Sequence, residues 1–536
     1  MKLTSGISRQ WPFFLCLLLA AGISLLWPGD ALWGDSDQAT IVWQALQANA
    51  SGRLSAYHNV GALVDLHPLT IWACQLLLLV TRDLIRLILI KQLLVTVVCV
   101  AGLYYLSEAL NYNKYVILLF FLSFFHQALI RTQVDNSFLA PLSLLLFVCF
   151  VRFSKRKGYT PLIGWCVCAV AIFHFHPRGV IAAVPFVIAF VVFERDWLKK
   201  HRLGVLAVLA GSGLACLPFL LSILERLHLR YASGLYALPE RTVFSLSVLP
   251  YTAVSEGFWY SYDMLQLIPD TAFRAYGLFP GMARALIGFT MAGYLFLTIG
   301  LVLTVFGLIR RLRRREAFTL EDRLGLVSLL TIVFYMMLLY RFALFNHWQY
   351  HPGLWFCGFY FIWRAVTAMR QVKGVKYLFP AYLAVMIVFR VGSLAVVHNS
   401  NRILTIKKAT EIAARISTYA PESEIVQLVR WEDDGEKFAD RVIANADHAV
   451  LGFYYRPLGV TLKAACRTLQ ALHVNLLFNA LRPLVYIQRL GKRDFLPART
   501  LVIKNDDGPE KRGVILIDDP GQVRAELERL SGKDRN

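Results

Sequence analysis

Two aspartates, Asp35 and Asp37, follow directly on the first apolar run of the chain, in the stretch WGDSDQATIVWQAL (33–46). A carboxylate there can take up a proton, or it can simply cap the helix it opens, which alone justifies one of the two. A third acid, Asp135, stands in QALIRTQVDNSF together with Arg131. An acid at a membrane boundary is costly unless solvated or paired, and pairing with Arg131 is its plainest structural use. Arg178 lies in the break HFHPRG (174–179), and Arg341 heads RFALFNHWQYHPG (341–353). Their planar guanidinium groups suit phosphate oxygens, although arginines at the ends of spans also snorkel to the surface. His174 with His176, and His347 with His351, have HxH and HxxxH spacings that can bind metal. Polar and aromatic anchors are also common at such positions.

The elements that carry these residues are membrane helices. Of 536 residues, 57% are hydrophobic and 17% charged, below the quarter usual for soluble domains. Apolar runs recur from residue 11 to about residue 396, which makes the chain a polytopic membrane protein. Hydropathy places spans at roughly 11–28, 84–108, 114–131, 138–153, 160–176, 179–194, 203–222, 284–309, 324–340, 353–368 and 377–396, about eleven in all. The net charge of +21 is not a nucleic-acid footprint, because the basic residues form short clusters between apolar runs. RFSKRKGY (152–159), ERDWLKKHR (194–202), RRLRRRE (310–316), MRQVKGVK (369–376) and Lys114 all fall on the side of Lys2 and Arg9. The positive-inside rule then predicts a cytoplasmic N-terminus. No small-residue cleavage motif follows the first run, so it is expected to stay as a span. Eight of the nine cysteines lie in or beside apolar runs, and only Cys466 lies in the polar part. No disulfide framework is implied, and the CVC at 166–168 reads as packing.

Every candidate residue falls on the face opposite the basic clusters. There the first outer loop, 29–83, is expected to hold an interfacial helix over 37–48, with Ile41, Val42, Ala45 and Leu46 on one side. A second helix at about 68–80 follows DLHP, too short to span. After residue 397 the alternating runs EIVQLV, HAVLGFYY, PLVYIQ, RTLVIK and GVILID predict strands, and DPGQVRAELERLS predicts a terminal helix. The expected domains are thus a transmembrane module, 1–396, and a small soluble α/β domain, 397–536, on the outer, periplasmic face.

This order resembles the GT-C fold of polyprenyl-phosphate-sugar glycosyltransferases, in particular the branch with protein O-mannosyltransferases and lipid A aminoarabinose transferases. That family's first loop runs from an acid through an amphipathic helix to H-P-P-L, a short helix and a span. Here it reads DQATIVWQALQA, then HPLTIWACQLLLLV, then DLIRLILIKQLLVTVVCVAGLYYL, with one proline where the family often has two. Arg131 and Asp135 match the family's Arg…Asp stretch at the second outer turn, and Arg178 its basic residue between the fifth and sixth spans. In QYHPGLW, Gln349 stands where an arginine is expected, with Arg341 and His347 as substitutes. The resemblance covers about residues 11–370 and does not reach the C-terminal domain.

The resemblance implies transfer of a lipid-linked sugar to an envelope glycan, lipid or protein at the outer face of a bacterial inner membrane. Asp37 is the expected general base, with Asp35 as its competitor, and single displacement would invert the sugar. Asp135 would be a second catalytic acid, an orienter of the acceptor or a metal ligand. Arg178 would hold the lipid phosphate, ahead of Arg131 and Arg341. Tyr57, His67, His347 and Tyr350 are candidates for the acceptor and sugar, although His67 also suits the turn before Pro68. Tyr57, Trp259 and Tyr260 also suit interface anchoring. No cofactor is required; related branches pair a divalent ion (Mg or Mn) with their acids, for which Asp37 and Asp135 are the candidates. The competing readings are a transporter or flippase for a lipid-linked sugar or other amphiphile, and a membrane assembly protein. A transporter places polar groups at mid-membrane in paired halves, whereas the polar candidates here cluster at one rim and no halves repeat.

Overall fold

The computed structural model describes residues 3–28, 45, 48–49, 52, 68–81, 84–122, 136–176, 179, 182–232, 280–341, 352–399, 424–427, 500–505, 514–517 and 522. Thirteen helices are found among them. They are α1 (Leu3–Ser24), α2 (Pro68–Val80), α3 (Leu84–Leu110), α4 (Leu119–Leu122), α5 (Asn136–Lys155), α6 (Tyr159–Phe175), α7 (Val184–Phe193), α8 (Arg195–Lys200), α9 (Arg202–Ala232), α10 (Pro280–Arg314), α11 (Leu320–Arg341), α12 (Pro352–Met369) and α13 (Leu378–Asn399). A 3₁₀ turn, Lys114–Leu118, runs into α4, and another, Val375–Tyr377, precedes α13. Described helices overlap each of the eleven stretches where a span was expected, although within 114–131 the described residues hold only the 3₁₀ turn and the four-residue α4. Within the described residues, five segments are long and apolar enough to cross a membrane: Ile85–Leu110, Ser137–Lys155, Arg202–Leu221, Leu295–Arg314 and Val375–Gly392. α9 turns leucines such as Leu203, Leu206 and Leu214 outward, as a lipid-facing helix should.

The basic clusters meet at one end of the bundle. Tyr104 donates to Gln10 at 2.7 Å, Lys155 to the Ala109 carbonyl at 2.9 Å and Trp363 Nε1 to the Asn113 carbonyl at 3.1 Å. These bonds tie the N-terminal half of α1, the α3–α4 turn, the α5–α6 turn and α12 into one layer. Glu194, almost fully buried, receives Lys157 from the α5–α6 turn and Arg323, at 2.8 Å, from α11. A buried carboxylate with two cations is an ion cluster whose disruption costs about 3–5 kcal/mol. Thr319 and Asp322 start α11 with a reciprocal capping box, Thr319 N–H to the carboxylate at 2.9 Å and Asp322 N–H to the hydroxyl at 3.3 Å. Glu321 accepts from Arg364 and, at 2.6 Å, from the Tyr112 hydroxyl. Burial, then Tyr360 and Glu321, hold the Tyr112 phenol well above its usual range, so it remains a donor. The expectation that these clusters share one side therefore holds in three dimensions.

Close packing organises the interior. Phe147, Phe150, Phe153, Trp165, Phe186, Phe190 and Trp197 form an edge-to-face ladder between α5, α6, α7 and α8. A Cβ added at Gly300 of α10 would lie 1.8 Å from the Phe361 carbonyl oxygen of α12, so only glycine permits this approach. Cys166 faces Ser212 of α9, and Cys168 faces Cys149 of α5, which fits the packing role expected of the CVC pair.

Three of the five expected C-terminal strands fall on described residues: β1 (Glu424–Gln427), β2 (Thr500–Asn505) and β3 (Val514–Ile517). They form one sheet in the order β1-β2-β3, parallel between β1 and β2 and antiparallel between β2 and β3. The other two strands and most of the terminal helix lie outside the described residues.

Candidate functional site

At the end opposite the basic layer, three helix termini converge. α2 begins at Pro68, directly after His67. Proline is pre-organised for a first turn, and the helix ends after 13 residues, as expected of a segment too short to span. Its Thr70 hydroxyl donates to the Phe175 carbonyl at 3.3 Å, which satisfies one of the free carbonyls at the C-terminus of α6. Phe175 also stacks on Phe138, in the first turn of α5, with ring centroids 4.9 Å apart. Gly179 closes the turn after α6 with its N–H on the His176 carbonyl, 2.8 Å away. A Cβ there would stand 2.9 Å from Ile172 and 3.3 Å from Leu139, so the backbone passes tightly between α6 and α5.

α2 is a shelf with two faces. Ile71, Cys74, Leu77 and Leu78 pack inward, whereas Leu76, Leu79 and Val80 are exposed as for contact with lipid. Its polar residues point inward as well. Gln75 Nε2 donates to Asn49 Oδ1 at 3.0 Å, and Asn49 Nδ2 returns a bond to the Gln75 carbonyl at 3.2 Å. This pair joins the segment after the opening motif to the shelf, and Ala45 and Ala48 are buried on the same segment. Close by, His174 Nε2 donates to the Ala215 carbonyl at 3.0 Å and stacks on Phe219, a packing role for that ring. Trp27 stacks on His398 at 4.5 Å, which ties the end of α1 to the end of α13.

Asp35, Asp37, Tyr57, His67, Arg131, Asp135, Arg178, His347 and Tyr350 lie outside the described residues. Arg341 is the last residue of α11. What the structure brings together is their flanks: Thr70 beyond His67, Phe175 and Gly179 on either side of Arg178, and Phe138 beyond Asp135. Among the described residues no group of three or more His, Cys, Asp or Glu side chains could hold a metal ion, and both acids named for a metal lie outside them.

Sequence reasoning passed over one residue. Lys91 of α3 is fully buried, its Nζ has no hydrogen-bond partner among the described residues, and it lies beside Cys74 of the shelf. Its neighbour Gln92 donates to the Ser24 carbonyl at 3.5 Å. The signal was present, since Lys91 is the one charge in LILIKQLLVTVVCVAGLYYL. An ionisable group inside a span is a functional candidate by default.

No family model matches the chain, and no curated protein does. Two solved structures of ArnT from Cupriavidus metallidurans align along almost its whole length. The form bound to undecaprenyl phosphate is 10% identical over 95% of this chain and 98% of that one, with a TM-score of 0.49. The apo form is 13% identical over 93% and 94%, with a TM-score of 0.39. Scores of this size do not establish a shared fold.

Proposed function

We propose that the chain is a membrane glycosyltransferase of the GT-C type, which moves a sugar from a polyprenyl-phosphate donor to a hydroxyl group of an envelope lipid, glycan or protein. The observation that carries this reading is the convergence of α2, the α6–α7 break and the start of α5 on one rim. Thr70, Phe175, Gly179 and Phe138, which meet at this rim, are near neighbours in the sequence of His67, Arg178 and Asp135. A shelf that is apolar outside and anchored inside suits a donor whose tail stays in lipid while its phosphate meets the rim.

On this reading Asp37, with Asp35 as the alternative, removes the proton from the acceptor hydroxyl as its oxygen attacks the anomeric carbon. The bond from that carbon to the phosphate oxygen breaks, and its electron pair leaves with the polyprenyl phosphate. Arg178 compensates the charge on the leaving phosphate, with Arg131 and Arg341 as further candidates. Asp135 orients the acceptor. Displacement from the face opposite the phosphate inverts the sugar. In a bacterial host the carrier would be undecaprenyl phosphate, and the basic end would face the cytoplasm.

The test separates the two roles. Asp37→Asn should abolish transfer of a radiolabelled sugar while the protein still binds the donor. Arg178→Ala should weaken donor binding itself. Full transfer activity in both variants would remove the site. A flippase would instead carry the donor across the bilayer unchanged and tolerate Asp37→Asn.

A further inference from the structure

A cavity of about 300 Å³ opens at the basic end, far from the candidate site. Its wall includes Val366, Met369, Arg370, Lys376, Tyr377 and Phe379. Two features set its chemistry. First, Arg370 and Lys376 line it and, among the described residues, no carboxylate does, although elsewhere in this layer Glu108, Glu194, Glu316, Glu321 and Asp322 each hold a cation. Second, apart from Asn113 the rest of the wall is apolar or aromatic, and Val372, Tyr377 and Leu378 at its edge are exposed, as residues that meet lipid would be. Tyr at this level is the usual membrane-interface anchor.

The turn that shapes the cavity is specified locally. Gly374 has a φ of +85°, a conformation that costs side-chain-bearing residues, and it reverses the chain between α12 and the 3₁₀ turn. Lys376 N–H then bonds back to the Val372 carbonyl at 3.3 Å, and its ammonium lies 4.8 Å over the Tyr377 ring. Lys376 and Arg370 thus come to line one cavity from opposite ends of the turn.

We infer that this cavity binds the phosphodiester headgroup of an anionic membrane glycerophospholipid, with Arg370 and Lys376 on the phosphate and Val366, Met369 and Phe379 against the start of the acyl chains. Basic pockets between helices at this membrane face recognise such headgroups. The inference does not depend on sugar transfer at the opposite rim.

Native mass spectrometry of the full-length protein tests it, with dioleoylphosphatidylglycerol, dioleoylphosphatidylcholine or glycerol 3-phosphate added to the detergent solution. The wild type should hold phosphatidylglycerol at least tenfold more strongly than phosphatidylcholine, and glycerol 3-phosphate weakly. Arg370→Gln with Lys376→Gln should cut the phosphatidylglycerol adduct about tenfold, while Arg310→Gln with Arg313→Gln, an equal charge change on α10, should not. Equal loss in both pairs would mean diffuse surface charge and would overturn the site. So would retention in the cavity variant, or glycerol 3-phosphate bound as well as the lipid, which would indicate a soluble ligand. A photoactivatable phosphatidylglycerol on the wild type gives a second readout that needs no variant. It should label residues 366–380, and labelling elsewhere only would also refute the inference.

Discussion

Gly179→Ala is the sharpest structural probe of the rim. The added methyl would stand 2.9 Å from Ile172 Cγ2 and 3.3 Å from Leu139 Cδ2. Optimal carbon contacts lie at about 3.5–4.0 Å, so the neighbours must retreat by roughly 0.5–1 Å. Ile172 is β-branched and stiff at χ1, so much of that retreat falls on the backbone between α6 and α7. Overpacking of this kind costs about 1–3 kcal/mol. Arg178 precedes the altered residue, and a misplacement of about 1 Å at a reacting site can cost about 10²-fold in rate. Gly179→Ala should therefore lower transfer about 10- to 100-fold per folded molecule, with weaker donor binding and a modest drop in thermal midpoint. Gly102→Ala is the control. Its methyl would meet Leu144 Cδ2 at 2.7 Å, away from the rim, so stability should fall comparably with no loss of rate per folded molecule. Initial rates on protein quantified by size-exclusion chromatography decide the matter. Wild-type rates in Gly179→Ala, or equal losses in both variants, would refute the idea that this close approach positions Arg178.

Other expectations concern the scaffold. Gly300→Ala drives a methyl into the Phe361 carbonyl and should cost at least about 3 kcal/mol, whereas Gly211→Ala, with open space around it, should be neutral or slightly stabilising; thermal melts in one detergent compare the two. Glu194→Gln leaves Lys157 and Arg323 without their buried carboxylate and should lower stability by about 3–5 kcal/mol, seen as a lower melting midpoint. Lys91→Met removes a buried amine without a partner among the described residues and should raise the midpoint, by relief of about 1–3 kcal/mol of desolvation; a lower midpoint would mean that the amine is satisfied.

Local properties of the chain were legible and distant pairings were not. Hydropathy sums over neighbouring residues, so the helices and the short α2 after His67 could be read from the sequence. The sidedness of the basic clusters could be read too, because topology forces alternate loops to one end. By contrast, Glu194 is bonded by Lys157 of the α5–α6 turn and Arg323 of α11, far apart in sequence, and no local pattern names those partners. Gly300 looks like any span glycine until the Phe361 backbone is beside it. The inward turn of Gln75 toward Asn49 likewise departs from a polar residue's usual place on an interfacial helix, because a mutual amide pair satisfies both groups. For the site, the order of acid, shelf and HP pointed to the outer rim. The meeting of Thr70, Phe175 and Phe138 there is a tertiary fact that spacing does not encode.

One measurement reaches the central claim most directly. Purified full-length protein in nanodiscs is given radiolabelled undecaprenyl-phosphate sugars with native membrane extract, beside Asp37→Asn at matched amounts. The account predicts that label moves from the lipid to an acceptor with inversion at the anomeric carbon, and that Asp37→Asn binds donor but transfers none. Donor bound or moved across proteoliposome membranes with no label on any acceptor, and unaffected by Asp37→Asn, would contradict it.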